Sequence, residues 1–263
     1  MARGILLVGH GTRDPEGNAQ FMALASALAG RRSELALEPC FLDHAEPGVQ
    51  AGIDRLAARG VDRVGIVPLF LFAAGHAKRD MPAHLATARQ RYPGISFGMS
   101  DVLGVQPALV AACAAALSAA EAEVPVMNRP QAQAPGVNRA ETAVLLVGRG
   151  SSDPDANADL HKVARLIWEE TGYGFVECAY SDVTRPRVDD GLARCIRLGA
   201  RRVILLPYFL FRGVLMERLK TLLATWQAQE PGTEFAFAGA EGLGGWPALQ
   251  ELILERADDA LAQ

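Results

Sequence analysis

Two histidines in this sequence stand where a reaction could use them. His10 lies between Gly9 and Gly11, and His76 follows Ala73-Ala74-Gly75. Each follows a short apolar run, Ile5-Leu6-Leu7-Val8 across Gly9 for the first and Val67-Pro68-Leu69-Phe70-Leu71-Phe72 across three small residues for the second. A third run, Leu35–Leu42, is followed by Asp43. If the three runs are strands of one parallel sheet, the residues just past their carboxyl ends open onto one crevice. Two imidazoles and a carboxylate there make an open site for a divalent transition metal. The flanking glycines let the chain turn sharply and approach a ligand closely. Taken alone, the loop Gly9-His10-Gly11 also fits a plain helix-capping turn with Thr12 or Asp14 as cap. A dinucleotide loop would need a third glycine that this segment lacks, and a histidine phosphatase would need arginine where Gly9 stands. Another α/β hydrolase or phosphatase using His10 stays open and predicts indifference to His76. His44 neighbours Asp43 and would face the opposite way in an extended strand, a constraint that a loop relaxes, while His84 and His161 fall in helical patterns.

The elements that must carry these residues repeat. Leu6-Leu7-Val8-Gly9-His10-Gly11-Thr12-Arg13-Asp14-Pro15 returns as Leu145-Leu146-Val147-Gly148-Arg149-Gly150-Ser151-Ser152-Asp153-Pro154, an offset of 139. The same offset carries Val67–Phe72 onto Leu206–Phe211 and Gly60–Val64 onto Gly199–Val203. Within the first half, apolar runs alternate with amphipathic stretches: Gly4–Gly9, Gly17–Gly30, Leu35–Leu42, Val49–Arg59, Val61–Phe72, Ala77–Tyr92, Ile95–Gly98 and Gln106–Glu121. That βαβαβαβα order implies right-handed crossovers and a parallel sheet covered on both faces. The expected fold is two similar doubly wound α/β lobes, each with a four-stranded parallel sheet flanked by helices. The first lobe spans 1–124 and carries the metal site. A linker spans 125–141, with Pro125, Pro130, Pro135 and Gly136, and the second lobe spans 142–263. The second lobe has Arg149 in place of His10 and Leu215 in place of His76. The scaffold persists through the duplication and the imidazoles do not, which favours a functional role for them.

Composition bounds the rest. The chain has 263 residues, half of them hydrophobic, with 26 basic and 30 acidic side chains for a net charge of −4 and no basic block longer than a pair such as Arg31-Arg32. Nucleic acid is therefore not an expected partner. The longest apolar runs are interrupted by Pro68 and Pro207 and fall short of the roughly 20 residues a membrane helix needs, so no membrane anchor is expected. Met1 leads almost directly into Gly4–Gly9 without a leader pattern, and the expected location is cytoplasmic. Cys40, Cys113, Cys178 and Cys195 form no C-x-x-C pair, which suggests buried free thiols rather than a cluster, a zinc ribbon or disulfides.

Leu6–Arg13, Phe41–Pro47, Val67–His76 and Leu146–Pro154, taken in order, resemble the class II sirohydrochlorin chelatases in their long, internally duplicated form. The likeness covers essentially the whole chain. It implies insertion of Co²⁺ or Fe²⁺ into sirohydrochlorin on the route to cobalamin or siroheme, with no cofactor beyond the substrate metal and no ATP. The absence of a G-x-x-x-x-G-K-[ST] motif agrees with the last point. The family's two active-site histidines fall on His10 and His76. Its strand-two glutamate falls on Asp43, one methylene shorter, with Glu46 nearby as an alternative. A polycarboxylate substrate calls for cations at the mouth, and Arg13, Lys78 and Arg79 sit beside the two histidines. From the second half, Arg149 and Arg212 stand at equivalent strand ends and are expected to bind substrate as well. A non-catalytic metal or tetrapyrrole carrier on the same fold is the competing reading. The sequence does not separate cobalt from iron. The duplication supplies in one polypeptide the two lobes a short relative would gain by dimerising, which fits a monomer and leaves a dimer open.

Overall fold

The computed structural model describes residues 2–123 and 137–263. Strand β1 (Arg3–Gly9) is buried from Gly4 onward, as its unbroken apolar run requires of a central strand in a sheet covered on both faces. It is flanked by β2 (Ala36–Phe41) and β3 (Arg63–Pro68), and β4 (Ser96–Met99) pairs outside β3, giving the parallel order β2-β1-β3-β4. Gly9 pairs with Phe41 and Val8 with Pro68, so the first three strands end nearly level. Helix α1 (Pro15–Arg31) leads from β1 to β2, α2 (Val49–Ala58) returns the chain to β3, and α3 (Met81–Arg91) leads to β4. The chain thus leaves β1 toward one side and continues on the other. The gap between the carboxyl ends of β1 and β3 is the switch point where ligands bind in such sheets.

The second repeat builds the same sheet, β6-β5-β7-β8, from β5 (Thr142–Gly148), β6 (Phe175–Tyr180), β7 (Arg202–Pro207) and β8 (Glu234–Phe237). Its connections are α5 (Pro154–Thr171), α6 (Val188–Arg197) and α7 (Val214–Gln229). One core in the first unit gathers Leu6, Val8, Ile53, Leu56, Val64, Ile66 and Leu85, and its counterpart in the second gathers Leu145, Val147, Leu192, Val203, Leu205 and Leu219. Among the described residues no helix is long and apolar enough to cross a membrane.

The sequence repeats and the compact units are different partitions. One unit comprises Met1–Gln106 with Gly244–Gln263, and the other Pro107–Leu243. Helix α4 (Pro107–Glu123), read as the end of a first lobe at 1–124, lies against β7, β8 and α5, whereas α8 (Pro247–Ala262) lies against β3, β4 and α1. The crossovers leave the outer half of one sheet face open in each unit, and the last helix of the other repeat closes it. The periodicity of α4 and α8 says that each must be buried and nothing of which sheet buries it. Residues 125–136 of the expected linker lie outside the described residues. Its end forms a short 3₁₀ turn, Arg139–Glu141, capped by the Asn138 side chain on the Glu141 N–H.

Closure by α8 depends on two glycines. A Cβ on Gly65 would lie 3.0 Å from Leu261 Cγ, and one on Gly98 would lie 2.0 Å from the Ala260 carbonyl oxygen. Gly98→Ala is therefore expected to push the helix off β4 and cost about 1–3 kcal/mol in denaturant unfolding. Gly94→Ala, where a Cβ meets nothing within 4 Å, is expected to change little in the same measurement.

Candidate metal site

The loop after β1 is built from its own sequence. Asp14 caps α1 by accepting the Glu16 N–H at 3.0 Å, with Pro15 in the first turn. The Asn18 amide clasps the loop, accepting from Thr12 N–H at 3.0 Å and donating to the Thr12 carbonyl at 2.8 Å. The second repeat reproduces both devices with Asp153 and with Asn157 on Ser151. The loop therefore folds with arginine at the His10 position, and the imidazole is surplus to its structure.

The β1–β2 ladder continues past the strands. Leu42 N–H donates to the Gly9 carbonyl and Asp43 N–H to the His10 carbonyl, both at 2.9 Å, which places Asp43 beside His10. Gly11 makes this approach possible at φ +84°, since a Cβ there would lie 1.8 Å from the Asp43 carbonyl oxygen. From the other side of β1, Leu69 N–H donates to the Val8 carbonyl. The chain then runs through Ala73-Ala74-Gly75 into a π-helical turn, His76–Asp80, that closes with Met81 N–H on the His76 carbonyl and continues as α3.

These connections bring His10, Asp43 and His76 together, with one ligand atom from each lying within 4.8 Å of the others. The His10 and His76 rings meet edge to face at 4.9 Å between centroids, and Phe70 stands edge-on to His10 at 6.5 Å. Both imidazoles are half-buried and Asp43 is exposed, so the cluster opens to solvent on the carboxylate side. Two nitrogens and one oxygen suit borderline divalent ions, and three protein donors leave coordination positions for an incoming ligand. Glu46 stands outside the cluster, its carboxylate accepting the Gly48 N–H at 2.9 Å. The four cysteines are buried. Burial pushes the Cys113, Cys178 and Cys195 thiols up to about 12 and the Cys40 thiol higher still, so none supplies a thiolate near neutral pH.

Arg13, Lys78 and Arg79 are all exposed, the last two on the turn that carries His76. In the second unit Arg149 is exposed after β5, and the Asp182 N–H donates to its carbonyl as Asp43 does to His10. Arg212 is half-buried, with its guanidinium 3.5 Å from Glu217 and 3.8 Å from Glu241. His84 is half-buried on α3, where its carbonyl accepts from Gln50 Nε2, and His161 is exposed on α5.

Sequence reasoning missed two neighbours of the cluster. His44 does not point away as strand alternation suggests. It has φ +61°, which turns its ring to 6.1 Å from that of His10. Asp80 accepts a 2.7 Å hydrogen bond from His76 Nδ1. The His76-x-x-x-Asp80 spacing was visible as an i, i+4 pair, but the left-handed conformation of His44 had no sequence signal.

The doubly wound parallel α/β sheet carries two histidines and one carboxylate at its switch point, an arrangement able to hold a divalent metal. The CbiX family model matches residues 4–120 and again 143–260. A sirohydrochlorin cobaltochelatase of Priestia megaterium is 38% identical over 98% of this chain and 80% of its own length. A sirohydrochlorin ferrochelatase of the same organism is 32% identical over 82% of the chain and 76% of its own length. The crystal structure of the sirohydrochlorin chelatase SirB from Bacillus subtilis subspecies spizizenii in complex with cobalt superposes with a TM-score of 0.79 at 25% identity, covering 100% of this chain and 96% of that one. The chain belongs to the CbiX family.

Proposed function

We infer that this protein is a sirohydrochlorin metal chelatase that inserts Co²⁺ or Fe²⁺ into the macrocycle without ATP. The observation that carries the reading is the cluster of His10, Asp43 and His76 at the switch point of a CbiX-family sheet. Metallation requires the ring to give up two pyrrole N–H protons as the metal enters. One imidazole holds the metal while the other accepts the two protons in turn as general base. Asp43, exposed at the rim, balances the charge of the ion and passes protons to water. Holding ring and metal together supplies the proximity contribution. Both metals remain candidates, since relatives of both kinds match and the donor set accepts either.

The substrate is a polycarboxylate. Arg13, Lys78 and Arg79 are solvent-facing cations beside the cluster and are assigned to its carboxylates. The guanidinium groups of Arg149 and Arg212 are assigned the same task from the second repeat. Arg149→Ala is expected to raise the KM for sirohydrochlorin about tenfold with kcat nearly unchanged, because it removes binding shared by ground and transition states. An unchanged KM in steady-state assays would remove Arg149 from the substrate site.

The deciding experiment is an anaerobic absorbance time course of sirohydrochlorin with Co²⁺ or Fe²⁺ against the non-enzymatic rate. Turnover faster than background establishes the chelatase, and the metal used faster indicates the pathway. A stoichiometric spectral shift that never exceeds background would identify a carrier instead.

A further inference from the structure

We propose that Asp80 is a positioning residue that fixes His76 as the Nδ1–H tautomer and thereby presents its Nε2 lone pair to the substrate metal. The inference deepens the chelatase reading and rests on it. A carboxylate has acceptors only, so the 2.7 Å contact between His76 Nδ1 and Asp80 Oδ2 puts the ring proton on Nδ1. A neutral imidazole then carries its lone pair on Nε2. His10 reaches the same state by another route, its Nδ1 lying 3.1 Å from the Gly11 carbonyl, which can only accept. Both rings of the cluster therefore carry their proton on Nδ1. An acidic partner on the far nitrogen also raises the basicity of a ligating imidazole.

The duplication separates this contact from those the fold needs. At the 139-residue offset His76 becomes Leu215 and Asp80 becomes Leu219. The π turn His76–Asp80 is replaced there by the start of a regular helix, Val214–Gln229. The capping aspartates and the asparagine clasps survive the same duplication. The pair and its unusual turn are thus present where the histidine cluster is present and gone where it is gone, and single-turn π-helical segments recur at functional sites. The side chains of His76 and Asp80 remain 41% and 46% exposed, so the contact contributes little to folding.

The test is made on the metal-free, ¹⁵N-histidine-labelled full chain. Long-range ¹H–¹⁵N correlations at pH 8 are expected to show His76 protonated at Nδ1 in the wild type and at Nε2, the form free imidazoles favour, in Asp80→Ala. Calorimetric titration with Co²⁺ alone is expected to show affinity reduced about 10–100-fold in Asp80→Ala, with most of it recovered in Asp80→Glu. Melting temperatures are expected to stay within about 4 °C of wild type, as a mainly exposed pair allows. A tautomer unchanged in Asp80→Ala overturns the proposal, and so does an unchanged Co²⁺ affinity. If the wild type binds Co²⁺ but does not accelerate chelation, the functional reading fails while these two measurements still decide the role of Asp80.

Discussion

Alanine at His10 or at His76 is expected to reduce metal insertion into sirohydrochlorin by about 10²–10⁴-fold, to near the uncatalysed rate, with little change in stability. Each ring is only half-buried and the loop that bears His10 folds with arginine at the equivalent place in the second repeat, so neither substitution leaves a core cavity. The two variants should differ in how they fail. Loss of His76, the ring whose Nε2 is presented to the ion, weakens Co²⁺ binding in the absence of macrocycle, whereas loss of His10, as the ring that accepts a pyrrole proton, leaves Co²⁺ binding nearly intact and lowers kcat. Calorimetry with Co²⁺ followed by stopped-flow absorbance with sirohydrochlorin separates the two assignments. Wild-type rates in either variant would exclude that histidine from the reaction. Indifference to His76 alone would return attention to a single-histidine chemistry.

The strand-end logic was legible in the sequence because it depends on features that survive in one dimension. Apolar runs of strand length, glycines at turns and a repeat at fixed offset specify a parallel sheet, and the ends of its strands specify where His10, Asp43 and His76 must meet. Three features were not legible, each for a different physical reason. The exchange of α4 and α8 between units depends on which of two apolar sheet faces a helix finds, and helical periodicity does not say which. The approach of His44 to His10 depends on a single left-handed dihedral that histidine tolerates without requiring it. The choice of Asp43 over Glu46 depends on the two ladder bonds that run past the ends of β1 and β2, while Glu46 is taken up by the Gly48 N–H. Residue types told what the cluster could be made of, and the backbone decided which carboxylate lies beside the histidines.

Gly11→Ala is expected to disable the site from a position that contributes no ligand. At φ +84° an alanine carries a left-handed cost of about 1–2 kcal/mol. Its Cβ would also be placed 1.8 Å from the Asp43 carbonyl oxygen, which is backbone and cannot swing aside. The loop after β2 must then retreat, and because Asp43 N–H is bonded to the His10 carbonyl, both ligands move with it. A displacement near 1 Å is enough to cost about 10²-fold in rate where geometry carries the reaction. The expected result is a melting temperature lowered by about 5–10 °C and chelation slowed by about 10²-fold. Gly150→Ala is the matched control. Gly150 has φ +89°, and its added Cβ would meet Thr184 at 3.1 Å, so the same left-handed cost with a looser contact falls on the repeat that has no histidine cluster. It should lower the melting temperature by a few degrees and leave Co²⁺ affinity at the wild-type value. Equal loss of Co²⁺ affinity in both variants would mean that general destabilisation, and not the Gly11–Asp43 contact, accounts for the effect.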